Sequence, residues 1–194
     1  MNRALIFIAA FTAALAAGNA ADDFTQAKFT DARGVMHQPA QVDFAKAHVL
    51  FFVLADCPIS NAYAEEINAI AKAHTRHGTA DVRCYLVHVD GDITPEVARK
   101  HAADFGYAMP VLLDREQRLA RFAGATVAPS AAIVLPDGRI AYCGRIDDLY
   151  ADYGKRRPAP TQHTLRAALD AVLAGKPVPQ PRTKTVGCYI GGSR

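Results

Sequence analysis

A three-layer α/β sandwich, with helices on both faces of a mixed central sheet, is the fold class the sequence predicts. Three observations carry it. From Ala47 to Ala55 the run His48-Val49-Leu50-Phe51-Phe52-Val53-Leu54 is almost continuously apolar, as expected of a central parallel strand buried on both faces. Strand and helix patterns then alternate along the middle of the chain, the rhythm of βαβ units. A hairpin and a last amphipathic helix follow.

The elements follow in order. Pro58 sits where a first helical residue would, and Ala62, Ile67, Ile70 and Ala71 lay an apolar stripe on a helix running to about Arg76. Val82 to Val89 reads as a second strand, and a helix opens at Thr94-Pro95-Glu96 and ends near Gly106. Pro110 to Leu113 is a short strand and Arg115 to Phe122 a short helix. Ala131 to Leu135 and Arg139 to Cys143 form two strands around the turn Pro136-Asp137-Gly138. The last helix spans Thr161 to Ala174 and is stopped by Gly175 and Pro177.

Residues 1–20 read as a cleaved secretory signal: a positive start at Arg3, an apolar run from Ala4 to Ala17, and small residues at Gly18 and Ala20. The run is shorter than the roughly 20 residues a spanning helix needs, so no stable membrane anchor is expected after cleavage. The expected location is the periplasm or the exterior of a bacterial cell. Residues 21–175 then form one domain, and residues 176–194 a C-terminal tail that carries Cys188, with Lys176 to Pro181 resembling a linker. The formal charge is only +3 and, apart from Lys155-Arg156-Arg157, read as a solvated loop, the cations are scattered. That excludes a nucleic-acid footprint.

Four cysteines, Cys57, Cys84, Cys143 and Cys188, would meet an oxidising compartment after export. They allow three complete pairings. No CxxC pair exists and the gaps are too wide for a zinc ribbon, so neither a structural metal nor a cofactor is expected. Cys84 and Cys143 lie in strands among apolar neighbours and read as packed thiols. His48, His88, His74 and His77 show no spacing tied to a carboxylate or a cysteine, and read as structural or solvated.

Cys57 is the candidate for chemistry. A thiol at a helix start faces unpaired backbone N–H groups and the positive end of the dipole, which favour the thiolate, while Asp56 beside it opposes that charge. A dithiol oxidoreductase needs a second thiol three residues on, and Ser60 stands there. Ser60 either accepts a hydrogen bond from the thiol or bonds the helix backbone. A resolving thiol must come from elsewhere. Between Gly175 and Cys188 an extended chain spans about 40 Å at ~3.3 Å per residue, so Cys188 can reach Cys57. It can equally pair with another protein or stay exposed.

The series Cys57 at a helix start, Leu112-Leu113-Asp114, Phe122-Ala123-Gly124, Val127-Ala128-Pro129 and Ile133-Val134-Leu135-Pro136-Asp137-Gly138-Arg139-Ile140 resembles the redoxin branch of the thioredoxin superfamily. More narrowly, Asp56-Cys57-Pro58-Ile59-Ser60-Asn61, Gly144-Arg145-Ile146-Asp147-Asp148 and Thr185-Val186-Gly187-Cys188-Tyr189-Ile190 are similar to a bacterial group of exported redoxin-domain proteins. The resemblance implies a cis peptide before Pro129, facing the thiol across a groove. In such a topology the last strand ends on the edge that carries Cys57, so Arg145, Asp147, Asp148 and Tyr150 are expected near its groove, with Arg145 stabilising a thiolate or an acidic substrate group.

Three functions compete. The first is a thiol-disulfide oxidoreductase of the cell envelope, with Cys57 as redox thiol, Cys188 or an external thiol resolving it, and protein thiols or a small thiol reductant as partners. The second is a thiol peroxidase, although Leu54 and Leu50 stand where peroxiredoxins carry Thr and Pro. The third is a binding module, with copper as the candidate ligand. Copper chaperones of the superfamily place a second thiolate where this chain has Asn61, and one soft ligand is too few unless Cys188 and a histidine join it.

Overall fold

The computed structural model describes residues 27–39, 45–75 and 81–191. Residues 1–20, read as a signal, and His77 lie outside the described residues. In chain order the elements are β1 (Phe29–Thr30), β2 (Met36–His37), β3 (Ala47–Val53), α1 (Pro58–Ala62), α2 (Ala64–Thr75), β4 (Val82–His88), α3 (Pro95–Asp104), β5 (Val111–Leu113), α4 (Arg118–Ala123), β6 (Val127–Ala128), β7 (Ser130–Val134), β8 (Ile140–Gly144), β9 (Tyr150–Asp152), β10 (Lys155–Arg156), α5 (Thr164–Leu173) and β11 (Cys188–Tyr189).

The central sheet runs β5-β4-β3-β7-β8. β3, β4 and β5 are parallel, while β7 is antiparallel to β3 and β8 to β7. β3 is the middle strand and every one of its residues is buried. Because successive strand side chains point to opposite faces, Val49, Phe51 and Val53 enter one core with α1, α2, α3 and α5, while Leu50 and Phe52 enter a second core beneath α4. This is the mixed-sheet, three-layer thioredoxin-like sandwich. Each buried phenylalanine contributes on the order of 2 kcal/mol.

Local chemistry moves several boundaries. The helix predicted as one piece from Pro58 divides at Tyr63, whose ring is buried with its hydroxyl on the Asp147 carbonyl. Arg115 to Gln117 form a turn instead of the first helical turn: Gln117 takes φ +56° and donates its N–H to the Asp114 carbonyl, and the buried Asp114 carboxylate accepts the N–H of Ala120. Lys155 and Arg156 belong to a small exposed hairpin, β9–β10, and not to an irregular loop.

The largest departure concerns the tail. Lys176 to Pro181 resembles a linker in the sequence, but the chain docks along β8. Cys143 donates its N–H to the Pro181 carbonyl at 2.9 Å and its carbonyl accepts Thr183 N–H at 3.4 Å, in a parallel bridge between Cys143 and Arg182. β8 is the sheet edge, whose outward backbone groups need partners, and the tail supplies them. The Thr183 hydroxyl then receives the Arg145 N–H at 3.0 Å and lies 2.8 Å from the Tyr142 hydroxyl. Gly144 permits the approach, since a Cβ there would run into the Thr183 backbone. Arg182 reaches across to the Ala123 carbonyl at 2.6 Å. The tail ends in β11, antiparallel to β6, with Cys188 opposite Ala128. Among the described residues no helix is long and apolar enough to cross a membrane.

Candidate active site

Cys57 stands at the end of the loop that leaves β3, as the cap of α1. Its Sγ accepts the Ser60 N–H at 3.5 Å, and Pro58 follows at the first helical position, where its missing N–H leaves no donor unpaired. A disulfide joins Cys57 to Cys188, with Cα atoms 6.3 Å apart and a sequence separation of 131. Cys57 is wholly buried, whereas Cys188 is partly exposed. The Ala128–Pro129 peptide is cis, and the Ala128 carbonyl oxygen lies 3.7 Å from Cys57 Sγ. Thus the disulfide is enclosed by α1, the cis-proline segment and the tail.

A polar network behind the disulfide fixes the loop that carries Cys57. Leu54 N–H donates to the Ser60 hydroxyl at 3.4 Å, so the serine side chain is engaged with backbone. Ala55 is held at both ends of its peptide units: its N–H donates to the Asp90 carboxylate at 3.2 Å and its carbonyl accepts Asn61 Nδ2 at 3.1 Å. Asp90 also meets His88 Nδ1 at 3.1 Å, and Asn61 Oδ1 meets His101 Nε2 at 2.9 Å. An amide oxygen can only accept, so His101 carries its proton on Nε2. The His88 and His101 rings pack edge to face, 4.8 Å apart. Burial pushes the His101 imidazole down to about 4, and the neighbouring His88 acts in the same direction.

This network differs from the expectation that His88 has no carboxylate partner: Asp90 is two residues away, just past the end of β4. A strand-end histidine followed at the second position by an aspartate was the available signal. Asn61 stands where copper chaperones place a thiolate, but here its amide links Ala55 to His101.

The residues expected near the groove after the last strand are engaged within the β8–α5 connection and with Tyr63. The Arg145 guanidinium donates to Gln162 Oε1 at 2.6 Å and to Thr164 Oγ1 at 3.4 Å. Asp147 accepts Leu149 N–H at 2.9 Å, and Asp148 takes the N–H and hydroxyl of Thr161, each at 2.6 Å, and the Gln162 N–H. The Tyr150 ring packs on Tyr63. These groups fasten the β8–α5 connection, and none of the four lines the cavity beside the disulfide. Glu66, Asp147 and His163 bring three ligand-type atoms within 4.8 Å of one another, but Arg166 already holds both Glu66 oxygens at 2.7 and 2.9 Å.

Cys84 and Cys143 are free and buried. Burial pushes the Cys84 thiol up to about 12 and raises that of Cys143. By contrast, both members of the disulfide border a cavity of about 830 Å³ that opens between the β3–α1 loop, the loop after β4, the turn before α4 and the tail.

No curated protein matches the chain. Among solved structures it is similar to a hypothetical protein from Sinorhizobium meliloti 1021, at 24% identity over 86% of this chain and 91% of that one, with a TM-score of 0.72. An uncharacterized conserved protein from Geobacillus kaustophilus is 27% identical over 86% of this chain and 89% of its own, with a TM-score of 0.70. A secreted Mycobacterium tuberculosis disulfide oxidoreductase homologous to E. coli DsbE shares the fold at 17% identity, over 80% of this chain and 99% of that one, with a TM-score of 0.54. The Redoxin family model matches residues 16–152. With that match and the thioredoxin-like sheet, this chain belongs to the redoxin family of the thioredoxin superfamily.

Proposed function

We propose that the chain is a thiol-disulfide oxidoreductase of the cell envelope in which Cys57 and Cys188 are the redox couple. The observation that carries this reading is the disulfide itself, placed between α1 and the cis-Pro129 segment and bordering a cavity. Residues 1–20 are then the cleaved signal, residues 21–175 the catalytic domain and residues 176–194 the tail that delivers the second thiol. Export fits a disulfide that has to persist, since cytosolic thiols are kept reduced. The secreted relative from M. tuberculosis supports the same location.

The difference in exposure supports a division of roles that reverses the expected one, with Cys188 attacked first and Cys57 as the sulfur that leaves. A partner thiolate entering the cavity attacks Sγ of Cys188, the partly exposed member. The bond between the two protein sulfurs breaks and Cys57 leaves as thiolate, accepting the Ser60 N–H. The partner's second thiolate attacks its own sulfur in the mixed disulfide and releases Cys188. Two electrons and two protons pass from the partner dithiol to Cys57 and Cys188, and the partner becomes a disulfide. Pro129 shapes the groove and the Ser60 hydroxyl holds the Leu54 N–H. Arg145 has no part in the exchange.

The test is transfer of oxidising equivalents to a reduced peptide dithiol. The oxidised protein is expected to convert one equivalent of peptide to its disulfide while peptide mapping shows loss of the Cys57–Cys188 link. Cys57→Ser and Cys188→Ser each abolish the transfer. Transfer that survives Cys188→Ser, or a native protein whose disulfide resists dithiothreitol, overturns the reading.

A further inference from the structure

The cavity beside the disulfide has a charge of its own. Among the described residues, Asp56, Asp90, Asp92 and Glu116 place four carboxylates on its lining, against the single guanidinium of Arg115. The chain as a whole is formally positive, at +3, so this negative excess is local. Arg115 donates its Nε to the Ile93 carbonyl at 2.6 Å, which holds it against the backbone. Asp90 is engaged with Ala55 and His88. Asp56, Asp92 and Glu116 are exposed. Beside Cys188 stands Tyr189, 80% exposed, an aromatic face suited to a cation.

The carboxylates do not make this cavity a site. The disulfide does, because both of its cysteines border the cavity and an exchanging sulfur has to enter it. The carboxylates set which sulfur can enter. The attacking species is a thiolate, an anion approaching an excess of negative charge. A positive group close to the sulfur offsets that repulsion and meets a carboxylate on arrival.

We infer that the thiols exchanging with the Cys57–Cys188 disulfide carry positive charge close to their sulfur, and that anionic thiols are disfavoured. The chemical class is an aminothiol or a cysteine flanked by lysine or arginine. This inference rests on the redox reading above. With a monothiol the balance is the same: one molecule forms the mixed disulfide on Cys188, a second attacks it, and two thiols leave as one external disulfide while Cys57 and Cys188 gain the two electrons and two protons.

The test follows reduction of the oxidised full-length protein by cysteamine, 2-mercaptoethanol and 3-mercaptopropionate at 0.01 M ionic strength. Acid quenching and mass analysis give the rate, expressed per thiolate. Each rate is divided by that of the same thiol on hydroxyethyl disulfide, which removes intrinsic nucleophilicity. The normalised rates are expected to fall from cationic to neutral to anionic thiol, by about tenfold between the ends. In 1 M salt, where the screening length shrinks to about 3 Å, the ratio falls to within about twofold. Asp92→Asn combined with Glu116→Gln lowers the cysteamine to mercaptopropionate ratio.

The peptides Lys-Cys-Lys and Glu-Cys-Glu separate the sources. A preference for Lys-Cys-Lys assigns the cavity to basic polypeptide, and a preference confined to cysteamine assigns it to a small aminothiol. Equal normalised rates, or a ratio that salt and the double variant leave unchanged, overturn the inference while the redox reading stands. If no thiol reduces the disulfide of the folded protein, both fall.

Discussion

Gly187 stands directly against the carbonyl of Ala128: a Cβ built on it would run into that carbonyl and come within 3.0 Å of Pro129 Cδ. The residue before Cys188 therefore has to lack a side chain for the tail to reach the cis-proline segment and present its thiol to Cys57. This contact joins the tail to the segment that leads into β7 of the central sheet, because Ala128 pairs with Cys188 in the β6–β11 ladder.

Gly187→Ala is accordingly expected to push β11 away from β6 and weaken the disulfide without disturbing the central sheet. A backbone collision of this kind costs about 1–3 kcal/mol, which moves the dithiol–disulfide equilibrium toward the dithiol by about 5-fold to 150-fold. Thiol titration of wild type and variant in matched glutathione buffers measures the difference.

Thr183 is the anchor of the tail on β8, since its hydroxyl accepts the Arg145 N–H and pairs with the Tyr142 hydroxyl. Thr183→Val keeps the shape and leaves the Arg145 N–H unpaired, so a loss of about 1–2 kcal/mol in unfolding free energy is expected. Thr183→Ser restores most of it. Urea unfolding of the three proteins checks both statements.

His101 makes stability depend on acidity. Its imidazole titrates near 4 in the folded protein and near 6.5 in an unfolded chain, so the unfolded state binds the extra proton between these values. Stability is therefore full above about pH 6.5 and is lost as the pH falls toward 4. At pH 5 the loss is about 2 kcal/mol. Urea midpoints at pH 7.5 and 5 are expected to differ correspondingly in wild type, and much less in His101→Gln, which keeps a donor for Asn61.

The four cysteines should separate cleanly by reactivity. After mild reduction at pH 8, iodoacetamide is expected to modify Cys188 and, once the broken bond frees the tail, Cys57, both of which border the cavity, and to leave Cys84 and Cys143 untouched, because both strand thiols lie away from it and burial keeps them protonated. Peptide mass mapping before and after urea unfolding checks the assignment.

Periodicity in the sequence determined the architecture of this protein. The apolar run of β3, the amphipathic helices after Pro58 and Pro95, and the hairpin around Pro136-Asp137-Gly138 are local patterns whose burial preference is written in neighbouring residues, and the sheet assembles from them. The sequence also singled out Cys57 as a thiol at a helix start and Cys188 as a cysteine within reach. Only the tertiary structure decided that the two are joined. Whether the tail docks depends on contacts between residues far apart in the chain, such as Gly144 with Thr183 and Gly187 with Ala128, where what matters is the absence of a Cβ. The clamp on Ala55 needs Asn61, His88, Asp90 and His101 from three different segments, and the Arg145 guanidinium is taken up by Gln162 and Thr164. Such pairings are matters of distance across the fold, so a pattern along the chain cannot express them.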